Sequence, residues 1–376
     1  MDGVDAVLVD LSRGFEARAE HFVSYPAALK ATLLALNTPG ANELHTSALA
    51  ANEVARLYAQ AVNALLSEVC LKPSDITALG AHGQTVRHQP GRHDSEGYTT
   101  QLLNAALLCE LTDIDVAYDF RARDVAAQGQ GAPLVPAFHD ALFAQEQGGV
   151  AVLNLGGISN LSWLPPLSQG VKRRLLGFDC GPANVLMDAW VQEHTGAPFD
   201  RGGLWAAQGQ LHRGLLETLL AHPYFQLPPP KSTGRDLFHR AWLEAQLEQC
   251  FGLENPALTP SAQDIQATLL ELTARTCVQA LARTPPPGAV VQSLIVCGGG
   301  ANNHTLLARL ADLCAEDPVL AHTQVKSSAQ LGIGVHLIEA LAFAWLAYKR
   351  VRLECANAPS VTGALGPRVL GSLVKA

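Results

Sequence analysis

The fold follows from the stretch Val150-Ala151-Val152-Leu153-Asn154-Leu155-Gly156-Gly157-Ile158-Ser159-Asn160, a short apolar run of β type that ends in a glycine turn. A second run has the same form: Leu294-Ile295-Val296-Cys297-Gly298-Gly299-Gly300-Ala301-Asn302-Asn303. Glycine after a buried strand lets the backbone approach a ligand and leaves N–H groups free for phosphate oxygens. Glycines at strand ends also make tight turns without any ligand. Two such turns, far apart in the chain and with asparagine at matching places, favour a nucleotide held between lobes.

Length and composition indicate a globular protein with more than one core. The chain has 376 residues, whereas single hydrophobic cores rarely grow past ~250 to 300 residues. We therefore expect two lobes. Hydrophobic residues make up 48% and charged residues 16% of the chain, as in ordinary enzymes. Short apolar strands alternate with helical segments, which predicts an α/β fold with mostly buried sheets.

Charge patterning excludes two classes of partner. The formal net charge is −8, and the sequence holds no block rich in lysine or arginine. Nucleic acids and membrane surfaces are bound through concentrated positive charge, so we expect neither as a partner. The first residues lack the features of a signal peptide, and no stretch reaches the ~18 apolar residues of a membrane span. We expect a cytoplasmic protein, and the sequence leaves its oligomeric state open, with a homodimer as one alternative.

The eight cysteines are scattered, and none of them has a close histidine or cysteine at metal-ligand spacing. This pattern predicts reduced, mostly buried thiols and no metal centre. Cys180, which lies next to Asp179, is an alternative candidate for a nucleophile.

Periodicity and turn residues predict the organisation of the chain. We expect an N-terminal lobe over residues 1–125, a crossing over 126–147 and a C-terminal lobe over 148–376. The crossing is indicated by the glycine- and proline-rich passage Gln128-Gly129-Gln130-Gly131-Ala132-Pro133.

Several helices and strands are predicted from the same patterns. Helical spacing of apolar residues predicts an amphipathic helix within residues 42–69. The pattern Ser261-x-x-Asp264 predicts the capped start of a long helix, and the apolar segment 338–348 predicts a buried tail helix. Strands are predicted for residues 4–10, 76–80 and 114–118.

Three further motifs stand together in this chain: Gly80-Ala81-His82-Gly83-Gln84-Thr85-Val86-Arg87-His88, Asp119-Phe120-Arg121-Ala122-Arg123-Asp124-Val125-Ala126-Ala127 and Gly177-Phe178-Asp179-Cys180-Gly181-Pro182-Ala183-Asn184. With the two glycine turns and Val361-Thr362-Gly363-Ala364-Leu365-Gly366-Pro367-Arg368, the chain resembles the anhydro-N-acetylmuramic acid kinase family nearly end to end. The resemblance implies a two-lobed actin-like ATPase (ribonuclease H-like) fold with an ATP cleft between the lobes.

The same resemblance implies a reaction in peptidoglycan recycling. Water opens the 1,6-anhydro bond of 1,6-anhydro-N-acetylmuramic acid while phosphate passes from ATP to O6, which gives N-acetylmuramic acid 6-phosphate. ATP is then a co-substrate, and Mg²⁺ is expected with it because the phosphates of ATP normally travel with this ion.

The resemblance also implies roles for four side chains. Asp179 matches the general base that takes a proton from the attacking water; its alternative role is to cap the helix that starts near Pro182. Arg123 matches an arginine that contacts the lactyl carboxylate of the sugar, and the alternative is a surface ion pair. Glu339 matches a glutamate that faces the sugar, or else an acid favoured by the helix dipole. His82 is expected in the wall of the site, with a hydrogen-bonded structural histidine as the alternative.

ATP contacts are implied at both glycine turns and at the start of the chain. The predicted set is Asp2, Gly3, Val4, Asp5, Asn154, Gly156, Gly157, Asn160, Gly298, Gly299, Gly300 and Asn302. The residues of the first turn match the family's second phosphate-contacting turn, and Gly298 to Asn302 match its adenosine contact. Neither turn is a Walker motif.

Two departures from the family pattern bear on function. The family opens with a strand that runs into Ser-Gly-Thr-Ser-x-Asp-Gly, whereas this sequence begins at Met1-Asp2-Gly3. We therefore expect the first strand and phosphate turn to be truncated at the N-terminus. Our hypothesis for this truncation is that the start codon was placed too late. The alternative function is a catalytically impaired sugar- or nucleotide-binding paralogue. A kinase for another aminosugar is a third hypothesis, because residues 101–106 depart from the usual Gly before Asn104 and Pro after it.

Overall fold

The computed structural model describes residues 3–234, 236–252, 260–286 and 288–376. The chain divides into two units, Met1–Leu142 with Leu337–Ala376, and Phe143–His336. The α/β class is confirmed. The division differs from the predicted boundaries, which kept residues 148–376 together. The tail joins the first unit because its last strand pairs there with residues 116–118.

The first unit is built from short strands and helices. Its described strands are β1 (Gly3–Val9), β2 (Ala17–Ser24), β3 (Leu79–Gly80), β4 (Gln84–Pro90), β5 (Gly97–Leu102), β6 (Val116–Tyr118) and β12 (Ser372–Val374). Its described helices are α1 (Ala27–Ala35), α2 (Glu43–Glu68), α3 (Ala105–Thr112), α4 (Ala122–Ala126), α5 (Val135–Phe143), α11 (Ile338–Val351) and α12 (Pro359–Thr362). The strands pair as β1 with β2, as β4 with β5, and in the order β12-β6-β3. The predicted helices within residues 42–69 and 338–348 are confirmed as α2 and α11.

The second unit contains one mixed sheet with helices packed on it. In its described part the strands are β7 (Gly149–Leu155), β8 (Ile158–Leu164), β9 (Leu176–Pro182), β10 (Val291–Cys297) and β11 (Gln324–Ser327). The helices are α6 (Asn184–Thr195), α7 (Arg213–Leu220), α8 (Arg240–Phe251), α9 (Ala262–Ala282) and α10 (His304–Glu316). The strand order is β11-β10-β7-β8-β9.

Strand directions in this sheet decide where its ends meet. β7, β10 and β11 are parallel neighbours, and β8 is antiparallel to both β7 and β9. Consequently β7, β9, β10 and β11 all run the same way, and their carboxyl ends lie at one edge. In open α/β sheets ligands bind at that edge. The core is consistent with a covered sheet, because Val150 to Leu153 are fully buried.

Local signals in the sequence account for the long helix α9. Ser261 Oγ accepts a hydrogen bond from the N–H of Asp264 at 3.1 Å, and the Asp264 carboxylate accepts one from the N–H of Ser261 at 3.1 Å. This reciprocal capping box satisfies two N–H groups that a helix start otherwise leaves unpaired. The predicted start of the helix is therefore confirmed. Among the helices of the described residues, none has both the length and the apolar character needed to span a membrane.

Asp124 is a buried carboxylate that joins three segments of the first unit. Its side chain accepts hydrogen bonds from the N–H of Gly131 at 2.8 Å, Nδ2 of Asn357 at 2.7 Å and Oγ1 of Thr362 at 2.9 Å. A buried charge is tolerated when hydrogen bonds replace the water it has lost. Asp124 thus fastens the motif that begins at Val361 to the glycine-rich turn before Pro133.

We predict that Asp124→Ala lowers the free energy of unfolding by about 3 kcal/mol, because three donors lose their acceptor inside the protein. Chemical denaturation of the variant and the wild type measures the difference. The matched control is Glu110→Ala, which removes an exposed carboxylate from α3 and is expected to change stability by no more than about 0.5 kcal/mol. Equal effects of the two substitutions would contradict the prediction.

Candidate active site

Three polar residues of the predicted site lie in one row across the sheet of the second unit. Asn154 on β7 is opposite Asn160 on β8, and Asn160 is opposite Asp179 on β9. Residues opposite each other on paired strands present their side chains to the same face of a sheet. The structure therefore brings the predicted general base together with two of the predicted ATP contacts.

The two glycine turns lie side by side, although they are far apart in the sequence. β7 and β10 are parallel neighbours, with Asn154 opposite Cys297. A Cβ at Gly298 would collide with Asn154 Oδ1, and one at Gly300 would lie 2.6 Å from the Cβ of Leu155. Only glycine allows this approach. Both turns belong to the second unit, and the predicted C-terminal lobe over residues 148–376 also holds both.

The hairpin turn between β7 and β8 presents unused backbone donors. The carbonyl of Gly156 accepts from the N–H of Asn184 at 3.0 Å, and that of Gly157 accepts from Ala183 at 3.0 Å and Val185 at 3.1 Å. These bonds fasten the start of α6 to the turn. Within the described parts of the chain, the N–H groups of Gly156 and Gly157 donate no hydrogen bond. Consecutive free N–H groups of this kind suit anionic oxygens.

A cleft of about 440 Å³ opens beside these turns. It is lined by Gly156, Gly157, Asn184, Val185, Asp188, Ala189, Gln192 and Gly299. Its volume falls in the range of small-molecule sites. Asn184 also donates from Nδ2 to the carbonyl of Leu155 at 3.0 Å. Its side chain therefore connects the cleft lining to the residue just before the first glycine turn.

The predicted adenosine turn, Gly298 to Asn302, follows β10 and also contributes to the cleft. Gly298 has a positive φ of 78° and precedes a short 3-10 helix, Gly299–Asn302. Nδ2 of Asn302 lies 3.3 Å from Nε2 of His336. Gly299 also lines the cleft together with Gly156 and Gly157, so residues of both predicted nucleotide turns contribute to the same cavity.

Asp179 has the environment of a proton acceptor. Its Oδ2 accepts hydrogen bonds from Oγ of Ser232 at 2.9 Å and from the N–H of Thr233 at 3.0 Å. Burial raises the pKa of Asp179, and the two hydrogen bonds offset only part of that rise. A carboxylate with a raised pKa is a stronger base than one in water. The alternative of a helix cap is wrong, because α6 begins at Asn184 after an N-cap at Ala183 that makes no side-chain bond.

Cys180 lacks the environment of a nucleophile. Its side chain is buried, and a hydrogen bond with Cys277 together with burial raises the pKa of its thiol well above the usual value. Since the thiolate is the reactive form, a buried thiol with a raised pKa is inert.

In the first unit, His82 forms a compact group with Arg121. Nε2 of His82 accepts from Nε of Arg121 at 3.2 Å and lies 3.1 Å from its Nη2. The imidazole ring lies 4.6 Å from the ring of Phe343. Burial and the charge of Arg121 lower the pKa of His82 to about 3, so the imidazole is neutral. The alternative of a hydrogen-bonded histidine is thus confirmed, and a role in the wall of the site stays a prediction.

Glu339 and Arg123 differ in how they relate to this group. Glu339 is exposed in the first turn of α11, and its negative charge favours the charged form of Arg121, although burial lowers the pKa of that arginine overall. Arg123 is exposed on α4 and forms no ion pair with any residue that the structure describes. The surface ion pair offered as its alternative therefore has no support, and contact with the sugar stays a prediction for both residues.

Residues at the start of the chain lie in the first unit. Gly3, Val4 and Asp5 belong to β1, where Gly3 is opposite Ser24 and Val4 opposite Val23. The Val4 side chain is buried, so only its backbone is available to a ligand. Asp2 lies outside the described residues. The ATP contacts of this segment stay predictions.

Several residues that the structure brings to these groups are not indicated by the sequence pattern. Arg121 and Asn184 stand inside quoted motifs but were given no role, since a motif does not say which of its side chains point inward. Ser232 and Thr233 follow three prolines and precede Gly234, which is a loop signal. No local pattern shows that this loop reaches Asp179, which lies 53 residues before Ser232 in the chain.

Fold and site together define an α/β protein with a cleft at the carboxyl edge of its sheet, the edge where ligands bind in open α/β sheets. The chain belongs to the anhydro-N-acetylmuramic acid kinase family, whose model matches residues 1–376. It is similar to the anhydro-N-acetylmuramic acid kinase of Variovorax paradoxus (strain S110), with 53% identity over 100% of this chain and 96% of the relative. The kinase of the same name from Ralstonia nicotianae (strain ATCC BAA-1114 / GMI1000) is 50% identical over 100% of this chain and 95% of the relative.

Solved structures are more distant. A ROK family glucokinase from Streptomyces griseus in complex with glucose and AMPPNP has 14% identity and a TM-score of 0.40, covering 93% of this chain and 96% of that chain. An activator of the 2-hydroxyisocaproyl-CoA dehydratase from Clostridium difficile with bound ADPNP has 11% identity and a TM-score of 0.44, and the match covers 93% of this chain and 92% of that chain.

We predict that Gly298→Ala destabilises the protein more than Gly332→Ala. Both glycines have positive φ, 78° and 79°, but a Cβ at Gly332 meets nothing within 4 Å. The control therefore carries only the backbone cost of about 1 to 2 kcal/mol, and the collision at Gly298 adds about 1 to 3 kcal/mol. Denaturant unfolding of both variants measures the difference. Equal losses would show that the two turns do not approach as closely as described.

We also predict that Arg121→Gln raises the pKa of His82, because it removes a positive charge that opposes protonation of the imidazole. The pKa is read from an NMR titration of the histidine ring signals. The matched control is Arg123→Gln, which removes an exposed arginine from the same helix region and is expected to leave the pKa of His82 unchanged. The absence of a rise in Arg121→Gln would contradict the assigned contact.

Proposed function

We propose that this protein is an ATP-dependent kinase that opens 1,6-anhydro-N-acetylmuramic acid with water and phosphorylates O6. The product is N-acetylmuramic acid 6-phosphate. Membership of the family supports the reaction, and one observation supports its mechanism. A half-buried carboxylate with a raised pKa, Asp179, lies in the same row as Asn154 and Asn160, beside a turn with free N–H groups.

The proposed reaction assigns the proton transfer to Asp179. The carboxylate takes a proton from water as the water oxygen bonds to C1 of the sugar, and the C1–O6 bond breaks. The released O6 bonds to the γ-phosphorus of ATP, and ADP leaves. Because burial raises the pKa of Asp179, its carboxylate takes a proton from water more readily than an ordinary carboxylate does.

Free N–H groups of the hairpin turn are proposed to hold phosphate oxygens of ATP. The donors are those of Gly156 and Gly157, and Asn154 and Asn160 flank them on β7 and β8. Fixed donors stabilise charge that develops during phosphoryl transfer. We propose that the adenosine lies against Gly298–Asn302. Mg²⁺ is proposed to enter with ATP as part of the substrate, since this ion binds phosphates and keeps several waters.

The sugar is proposed to contact the group around His82 in the first unit. A neutral imidazole can donate or accept one hydrogen bond at each nitrogen, but Nε2 is already engaged by Arg121. Arg123 has an exposed guanidinium, which suits the lactyl carboxylate. Glu339 is proposed to contact a sugar hydroxyl or amide. We propose a cytoplasmic enzyme, with a homodimer as one alternative for its oligomeric state.

The test uses the purified chain with ATP, Mg²⁺ and 1,6-anhydro-N-acetylmuramic acid in ¹⁸O-labelled water. We expect a 6-phosphate product with one ¹⁸O at C1, detected by mass spectrometry. Asp179→Asn is expected to lower the rate about 10² to 10⁴-fold, because the amide cannot take the proton. The matched control is Asp312→Asn, on the exposed side of α10, which is expected to keep the wild-type rate.

Two results would overturn the proposal. One is the absence of product from the wild-type chain under these conditions. The other is a wild-type rate for Asp179→Asn, which would remove the base from the mechanism. A parallel assay with N-acetylmuramic acid separates this activity from that of another aminosugar kinase, because that substrate has no anhydro bond and gives product without ¹⁸O at C1.

A further inference from the structure

One segment of the second unit contacts Asp179 through both its backbone and its carboxylate. The N–H of Asp179 donates to the carbonyl of Lys231 at 3.1 Å, and the hydroxyl of Tyr224 donates to the carbonyl of Asp179 at 2.8 Å. The next two residues, Ser232 and Thr233, donate to the carboxylate at 2.9 and 3.0 Å. The segment from Tyr224 to Thr233 therefore fixes the residue as well as its side chain.

Both carboxylate bonds go to the same oxygen. Ser232 Oγ and the N–H of Thr233 donate to Oδ2, whereas Oδ1 accepts no hydrogen bond from the residues described. Rotation of the carboxylate would break both bonds at once. The two oxygens are therefore unequal: one is held by the protein, and the other keeps its lone pairs for a ligand.

The loop that supplies these donors is itself held in place. Nζ of Lys231 donates to the carbonyl of Tyr224 at 3.2 Å and lies 4.7 Å from the centre of the Tyr224 ring. Tyr224 is buried and packs edge-on against Phe238 at 5.7 Å. Ser232, in contrast, is exposed. The hydroxyl of Ser232 thus lies at a surface that solvent and a substrate can reach. The loop that carries it is held by contacts with the buried Tyr224.

We propose that Ser232 and Thr233 are positioning residues for the water-activating step, holding Oδ2 of Asp179 so that Oδ1 receives the proton. This inference rests on the proposed function. The proton moves from water to Oδ1, the water oxygen bonds to C1, the C1–O6 bond breaks, and O6 takes the phosphoryl group from ATP. Ser232 and Thr233 keep their own protons throughout.

The same bonds set the pH range in which the base is ionised. Hydrogen bonds from Thr233 and Ser232 favour the carboxylate and lower the pKa of Asp179, against the larger effect of burial. Loss of the Ser232 hydroxyl therefore raises that pKa. Because the protonated form is inactive, activity is lost as the pH falls through the pKa, and the acidic limb of the rate profile moves to higher pH.

Two other titratable groups near Asp179, Tyr224 and Cys180, keep one charge state across that range. Burial raises the pKa of Tyr224 on the 3-10 helix Pro223–Gln226. Cys180, on the same strand as Asp179, has a pKa raised by its hydrogen bond with Cys277 and by burial. Both therefore remain neutral. Burial lowers the pKa of Lys231 on the loop, and its amine donates to the carbonyl of Tyr224 rather than to the Asp179 carboxylate. A shift of the acidic limb thus reports on Asp179.

The experiment compares pH profiles of kcat/KM for wild type, Ser232→Ala and Ser232→Thr. Ser232→Ala is expected to move the acidic limb to higher pH and to lower kcat on the plateau by about 10 to 100-fold, the usual cost of a misplaced catalytic group. Ser232→Thr keeps a hydroxyl and is expected to restore the wild-type limb. Ser168→Ala, which alters another exposed serine of the same unit, is the matched control and is expected to give the wild-type profile.

Each remaining outcome is decisive. A lower kcat with an unmoved limb in Ser232→Ala would mean a merely structural role and would overturn the inference, as would a wild-type profile. If Ser232→Ala does not fold, Ser232→Cys replaces the hydroxyl by a weaker donor of similar size, and the limb must move in the same direction. Absence of wild-type product would reject the proposed function itself, whereas an active wild type with unaffected Ser232 variants would reject only this inference.

Discussion

Parallel pairing of β7 with β10 is the constraint on which the candidate site depends. It places Asn154 opposite Cys297, so that two glycine turns separated by much of the chain end at the same height. The antiparallel strands β8 and β9 extend the same row to Asp179. The arrangement requires glycine at positions where a side chain would collide with the neighbouring strand end. The register of the sheet, rather than any single side chain, thus brings the proposed base Asp179 close to the strand ends that carry the two glycine turns.

Two aspartates show how the surroundings divide roles between identical side chains. Asp124 has donors on both oxygens and lies entirely inside the first unit, so its charge is used to join chain segments. Among the residues that the structure describes, Asp179 has donors on one oxygen only, and it retains some access to solvent. The first arrangement stabilises the structure, and the second leaves one carboxylate oxygen available to a ligand. The number of carboxylate oxygens that accept hydrogen bonds therefore distinguishes these two aspartates better than burial alone.

The sequence predicts elements well where the pattern is local. The capping box at Ser261 and the periodicity of α2 and α11 need no distant partner, and all three helices form as expected. The strand predicted for residues 76–80 is shortened to Leu79–Gly80, because it pairs only with Val116 and Ala117 on β6. The contact of Ser232 with Asp179 and the choice of Arg121 over Arg123 beside His82 depend on tertiary packing, which no local pattern encodes.

The return of the tail to the first unit has a consequence for synthesis on the ribosome. Residues 143–336 of the second unit are continuous in the chain, whereas the first unit lacks α11, α12 and β12 until residue 376 has been made. A nascent chain that has reached His336 already holds every residue of the second unit. Since domains fold as units during translation, the N-terminal half waits longest for its partner segments, and the order of completion is the reverse of the order of synthesis.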